Sequence, residues 1–282
     1  MEILLDGKNL AKEFSTRQKE KVVQLKEKGI TPKLTAILVG DDPASAVYVR
    51  MKGKRCKKLG IDSETINLPT ETTEAELLEL IEKLNADKSV SGILTQLPLP
   101  NHINEETILE SISPKKDVDC FHPTSVGKLT IGNPIFEPAT PAGAIRLLER
   151  YDYDFSGKHA VIIGRSNIVG KPVSLMLLQK NCTVTICHSR TKNIDCVAKT
   201  ADLLVVAIGR PKMINENWVK KGAWVVDVGT NRLEDGTLCG DVDFDAVKDI
   251  AHAISPSPGG VGPMTITMLM ENTIKAAELI GK

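Results

Sequence analysis

Tyr48 and Lys52 stand four residues apart in a segment that reads as a helix, so a ring and an amine share one side of it and can face one cavity. An amine removed from water binds its proton less tightly, which suits it to proton transfer. The alternative is a lysine whose stem lies on the apolar stripe Val49, Cys56 and Leu59 while its head snorkels to solvent. Val47 and Met51 on the opposite side leave both readings open. Gln96 ends the apolar run Gly92–Thr95 and precedes Leu97-Pro98-Leu99-Pro100. That sets its amide at the carboxyl end of a strand, where open α/β sheets bind ligands; a turn residue bonding to nearby backbone is the plain alternative. Lys116-Asp117-Val118-Asp119 places two carboxylates two positions apart, so in extended chain at most one need face inward.

A second group of residues has the pattern of a dinucleotide site. Ala160–Ile163 followed by Gly164-Arg165-Ser166-Asn167-Ile168-Val169-Gly170 reads as strand, glycine turn and helix, an arrangement that aims backbone N–H groups at a phosphate. The spacing departs from G-x-G-x-x-G, and a simple tight turn is the alternative. The next strand ends in Cys187-His188-Ser189-Arg190-Thr191, without the carboxylate that takes ribose hydroxyls in NAD sites. Arg165, Ser189 and Arg190 instead suit an extra phosphate, which favours NADP. Pro258-Gly259-Gly260-Val261-Gly262-Pro263 brackets three glycines between prolines, giving backbone that can approach a flat ligand closely, or else a hinge.

These residues need a frame of alternating strands and helices. Short Val/Ile/Leu runs at Leu34–Val39, Ser63–Leu68 and Gly92–Thr95 alternate with helical stretches near Pro43–Leu59 and Thr73–Asn85. After a Pro/Gly-rich crossing, a second set follows at His159–Ile163, Thr183–Cys187, Leu203–Ile208 and Trp224–Val228. The expected fold class is α/β with two lobes and parallel strands buried on both faces. The first lobe spans residues 1–120 and the second, Rossmann-like, residues 140–262. A tail helix over 264–282 carries Ile266, Leu269, Met270, Ile274, Ala277 and Ile280 on one stripe that needs a partner surface.

Composition narrows the partners. Lys plus Arg and Asp plus Glu both total 36, so nothing supplies the basic field of a nucleic-acid binder. The first twenty residues resemble neither a signal peptide nor a membrane span, and a cytoplasmic protein with no membrane partner is expected. Six scattered cysteines without a C-x-x-C pair indicate reduced thiols and no metal site.

Taken together, Tyr48-x-x-x-Lys52, Gly92 to Pro100, Lys116 to Asp119, Gly164-Arg165-Ser166 with Val169-Gly170-x-Pro172, and Pro258 to Thr265 resemble the bifunctional methylenetetrahydrofolate dehydrogenase/methenyltetrahydrofolate cyclohydrolase family over nearly the whole chain. The resemblance implies oxidation of 5,10-methylenetetrahydrofolate with NADP and hydrolysis of the product to 10-formyltetrahydrofolate, within one-carbon metabolism and purine supply. It implies that Lys52 is the catalytic amine, Gln96 its hydrogen-bonding neighbour, Tyr48 the ring against the folate, and Asp119 the carboxylate holding the pterin. Pro258, Gly259, Gly260 and Val261 are implied at the substrate; Gly164, Arg165, Ser166, Val169, Gly170, Ser189 and Arg190 at the cofactor. It further implies that the tail helix returns to complete the first lobe and that the protein is a homodimer. One position departs from the family: Cys120 stands where glycine is usual. If that position needs a positive φ, the cysteine costs about 1–2 kcal/mol in strain.

Overall fold

A computed structural model describes residues 3–281, the side chain of Ala44 excepted. The strands are β1 Ile3–Leu4, β2 Lys33–Val39, β3 Asp62–Leu68, β4 Gly92–Thr95, β5 His159–Ile163, β6 Thr183–Cys187, β7 Leu203–Val206, β8 Trp224–Asp227, β9 Asn231–Arg232, β10 Leu238–Cys239 and β11 Ala253–Ile254. The α-helices are α1 Gly7–Glu27, α2 Pro43–Leu59, α3 Glu74–Ala86, α4 Glu105–Ser111, α5 Pro123–Thr130, α6 Ala139–Arg150, α7 Gly170–Gln179, α8 Ile194–Ala198, α9 Phe244–Val247 and α10 Val261–Ile280. None of the helices is long and apolar enough to cross a membrane among the described residues.

Two compact units result. The first holds Phe14–Glu137 with the chain from Leu269 onward; the second holds the residues up to Glu13 with Pro138–Met268. The sequence places the boundaries at 1–120, completed by a tail helix over 264–282, and at 140–262; the chain from Leu269 does group with the first unit, whereas the residues up to Glu13 group with the second. β1 pairs in parallel with β11 and so extends the second unit's sheet, while the division falls inside α1 and α10. Two-residue strands such as β1 and β11 carry too little pattern to be read from sequence.

In the first unit three parallel strands lie in the order β3-β2-β4. Central β2 is buried along nearly its whole length, whereas edge strand β3 is largely exposed, which corrects the expectation of burial on both faces. One face of the sheet packs Ile37, Val39 and Ile93 against Leu77 and Ile81 of α3 and Ile108 of α4. Local signals explain the helix ends. Asp42 accepts the N–H of Ser45 at 2.7 Å, Pro43 occupies the first turn, and Gly60 ends α2 in the left-handed region at φ 80°. Thr73 and Glu76 form a reciprocal capping box at the start of α3. The tail stripe is buried at Leu269, Met270, Ile274 and Ala277, and Asn272 Nδ2 donates to the carbonyls of Val118 and Glu137, each at 2.8 Å.

The second unit has a six-stranded parallel sheet in the order β1-β11-β8-β7-β5-β6. From β5 the chain moves to β6 on one side and then to β7 on the other. The gap between the ends of β5 and β7 is therefore the topological switch point at which such sheets bind ligands.

Candidate active site

Tyr48, Lys52, Gln96 and Asp119 all belong to the first unit. Lys52 Nζ donates to Gln96 Oε1 at 3.0 Å, and Gln96 Nε2 donates in turn to the Leu97 carbonyl at 2.7 Å. The amide is thus held with its oxygen toward the amine while its NH₂ bonds the backbone of the next residue. Burial lowers the proton affinity of Lys52, with the Asp119 charge opposing it. Burial likewise pushes the Asp119 carboxyl up, and Lys52 pulls it back while Asp117 adds to the rise. Lys52 is half-buried, with its amine against an amide and within the field of a carboxylate. Tyr48, one turn earlier on α2, is 44% exposed and leaves its ring free to meet a ligand.

Lys116 and Asp117 run beside β4. Ile93 pairs with Asp117 in a parallel bridge and donates its N–H to Lys116 O at 2.9 Å. Beyond that bridge the chain turns at Val118 and Asp119, where the Cys120 N–H donates back to the Asp117 carbonyl at 3.2 Å, and Asp119 lies within the electrostatic reach of Lys52. The two carboxylates then divide their roles. Asp117 is buried and accepts from Phe121 N, His122 N and Ser125 Oγ at 3.1, 3.0 and 2.7 Å, which ties the turn into α5. Lys116 is also buried, donating to the carbonyls of Leu84 and Asp87. The spacing alone did not say which acid faces inward, since nothing in it announces partners four, five and eight residues away.

Cys120 adopts φ 64° and is 3% exposed, so the cysteine does occupy a left-handed position. Cys120→Gly should relieve about 1–2 kcal/mol of strain. It also removes a buried CH₂S group worth roughly 1 kcal/mol and adds about 0.5–1 kcal/mol of unfolded-state freedom. The expected stability change in denaturant titration is therefore within about 1 kcal/mol of zero; a gain above about 2 kcal/mol would show that the thiol packs to no benefit.

In the second unit Gly164 sits at φ 125°, and a Cβ there would lie 2.2 Å from the Ala207 carbonyl oxygen, so only glycine fits this turn. Ser166 Oγ accepts the N–H groups of Val169 and Gly170 at 3.2 and 3.3 Å. Those two backbone donors are thus already bonded to a side chain of their own turn. What remains outward is the Ser166 O–H, which a twofold acceptor can still donate. Arg165, Ser166, Ser189 and Arg190 are exposed. Ile163 and Cys187 are partners across β5 and β6, so Arg165 and Ser189 leave the two strand ends at the same level. The loop Ala207-Ile208-Gly209-Arg210 at the end of β7 lies on the other side of the switch point and was absent from the sequence-based selection. Its only signal was its place after an apolar run, which nothing distinguished from other loops.

The loop after β11 differs from expectation. Pro258 is exposed, but Gly259, Gly260 and Val261 are buried. The Gly259 carbonyl accepts the N–H of Lys8 at 3.1 Å, and Gly7 approaches Gly260 too closely for any side chain. The glycines are occupied in packing the start of α1. Among the described residues no group of three or more His, Cys, Asp and Glu is placed to hold a metal. Five of the cysteines are buried and Cys196 is exposed, all as free thiols.

Residues 5–119 match the tetrahydrofolate dehydrogenase/cyclohydrolase catalytic domain, and residues 138–280 match the NAD(P)-binding domain of the same family. The chain is 55% identical over 279 residues to a bifunctional protein FolD of Bacillus mycoides, covering 99% of this chain and 98% of that one. A crystal structure of the bifunctional FolD methylenetetrahydrofolate dehydrogenase/cyclohydrolase of Campylobacter jejuni superposes with a TM-score of 0.96 at 52% identity, over 98% of each chain. The Trypanosoma brucei enzyme, solved with NADP and an inhibitor, gives 0.95 at 36% identity over 98% of this chain and 97% of that one. With both domains matched and the relatives aligned almost end to end, the chain belongs to the tetrahydrofolate dehydrogenase/cyclohydrolase family.

Proposed function

We propose that this protein oxidises 5,10-methylenetetrahydrofolate to the 5,10-methenyl cation with NADP and hydrolyses that cation to 10-formyltetrahydrofolate. The observation that carries the reading is the Lys52 amine held at 3.0 Å from Gln96 with the Asp119 carboxylate in its field. Hydrolysis of the cation requires water to lose a proton as it attacks and a ring nitrogen later to gain one. Lys52, its proton affinity lowered by burial, serves both transfers, and Gln96 fixes the direction of its amine. Tyr48 lies against the folate, Asp119 accepts from the pterin, and Pro258, with the Gly259, Gly260 and Val261 backbone behind it, contributes a rigid edge to substrate binding.

The oxidised nicotinamide supplies a hydride acceptor when bound. The chain's part is to place it: Gly164 and Gly170 shape the turn, Val169 starts α7, and Ser166 and Ser189 offer hydroxyls. Arg165 and Arg190 neutralise the additional phosphate of NADP. The donor set fits that group, since residues 187–191 contain no carboxylate to repel it.

We assign the protein to the cytoplasm, as a homodimer. The latter is supported by the exposed apolar Ile186 on edge strand β6 and Leu178 on the preceding helix. The deciding experiment follows absorbance with methylenetetrahydrofolate and NADP, then NAD, reading NADPH and the methenyl product separately. NADPH formation with transient methenyl product is expected; no dinucleotide reduction with either cofactor would refute the reading.

A further inference from the structure

Asp241 is completely buried, yet it belongs to none of the residues assigned above to substrate or cofactor. Its two carboxylate oxygens accept four hydrogen bonds. Oδ2 takes the N–H groups of Ile208 and Gly209 at 2.7 and 3.0 Å; Oδ1 takes Arg210 N and Asn231 Nδ2 at 2.8 and 2.9 Å. Three consecutive backbone donors of one loop thus converge on a single side chain. That loop is the one leaving β7 at the switch point, and the Ala207 carbonyl at its start abuts the Gly164 turn.

The carboxylate is itself held. Asp227, the last residue of β8, accepts from Gly229 N and Asp241 N through Oδ1 and from Val242 N through Oδ2, at 3.0, 3.1 and 3.0 Å. No side chain fits between these groups: a Cβ at Gly229 would lie 2.2 Å from the Asp241 carboxyl carbon, and one at Gly240 would lie 1.7 Å from Asp227 Oδ2. One acid fixes the backbone of the other, and the second fixes a loop that no strand or helix ladder holds. Gly209 and Arg210 are nonetheless exposed, so the loop presents an open surface with a closed underside.

We propose that Asp241 is a positioning residue for dinucleotide binding, acting through the Ile208–Arg210 loop without touching the cofactor. The proposal rests on the NADP reading above. It explains why a loop of glycine and exposed arginine can offer a preformed wall to a ligand: its amide dipoles are pinned from below by a buried negative charge.

Asp241→Asn tests this directly, because an amide keeps acceptors for only one pair of donors and turns its NH₂ against the other. In folded protein, shown by a cooperative melt, the KM for NADP should rise about ten- to a hundredfold while the KM for methylenetetrahydrofolate changes less than about twofold. A general structural defect would move both. Hydrogen exchange on the wild-type protein without cofactor gives a second measure that needs no variant. The Ile208, Gly209 and Arg210 amides should exchange at least about a hundredfold slower than in an unstructured chain, despite the exposure of the loop. An unchanged KM for NADP in the folded variant, or unprotected amides in the wild type, would overturn the proposal. Failure of the wild type to reduce either dinucleotide would instead refute the functional reading, and the exchange rates would still decide whether Asp241 holds the loop.

Discussion

Lys52→Met should lower methenyl hydrolysis by at least about 10²–10⁴-fold, the range of general acid–base assistance, while dehydrogenase turnover remains measurable. The two steps ask different things of the side chain. In the oxidation, lone pairs on the nitrogens flanking the methylene carbon drive hydride onto the nicotinamide, and the protein's contribution is orientation. Hydrolysis requires a proton to be taken from water and another delivered to nitrogen, and a methionine can do neither. Burial lowers the proton affinity of Lys52, so the hydrolysis rate should rise with pH at values below the ordinary lysine range. That limb should vanish in Lys52→Met. Gln96→Ala should impair both activities, since the amide orients an amine that the substrate also meets. Both steps are to be measured on one preparation whose NADP affinity is unchanged. Near-normal methenyl hydrolysis by Lys52→Met would remove the lysine from the mechanism.

Replacing Arg165 and Arg190 together by alanine should weaken NADP far more than NAD. A charge-assisted contact to phosphate contributes about 1.5–3 kcal/mol, so losing two gives roughly a hundredfold loss or more for NADP. NAD lacks the phosphate and should lose only the general attraction of two exposed cations, within about threefold. Isothermal titration with each dinucleotide, repeated at higher salt, separates these terms. Equal losses for both cofactors would detach these arginines from the additional phosphate. Both side chains are exposed and follow the paired strand ends Ile163 and Cys187.

Some of this was legible in the chain itself because the signals are local. Asp42, Pro43 and Gly60 mark both ends of α2 through capping chemistry that operates within four residues. Apolar runs place β2, β4, β5 and β7, whose burial leaves them no other pattern. The cost of Cys120 was anticipated through the family resemblance, in which glycine is usual at that position, and its left-handed φ followed. Tyr48 and Lys52 needed only the helical repeat to share a side.

What tertiary structure decided are the matters in which distant segments compete for the same groups. Asp117 and Asp119 have the same side chain and nearly the same neighbours in sequence. One became a buried acceptor for Phe121, His122 and Ser125, and the other entered the field of Lys52. The bridge of Asp117 to Ile93 and the turn that follows it at Val118 and Asp119 separate the two. The loop glycines at Gly259 and Gly260 offered backbone to any flat surface, and the first turn of α1 took it. Asp241, unremarkable in sequence, collected four donors because the fold brought the end of β7 above it. A sequence determines what each group can do within a turn or two, by sterics and capping. Which of several eligible partners it meets depends on a global packing in which every buried donor and acceptor must be satisfied at once.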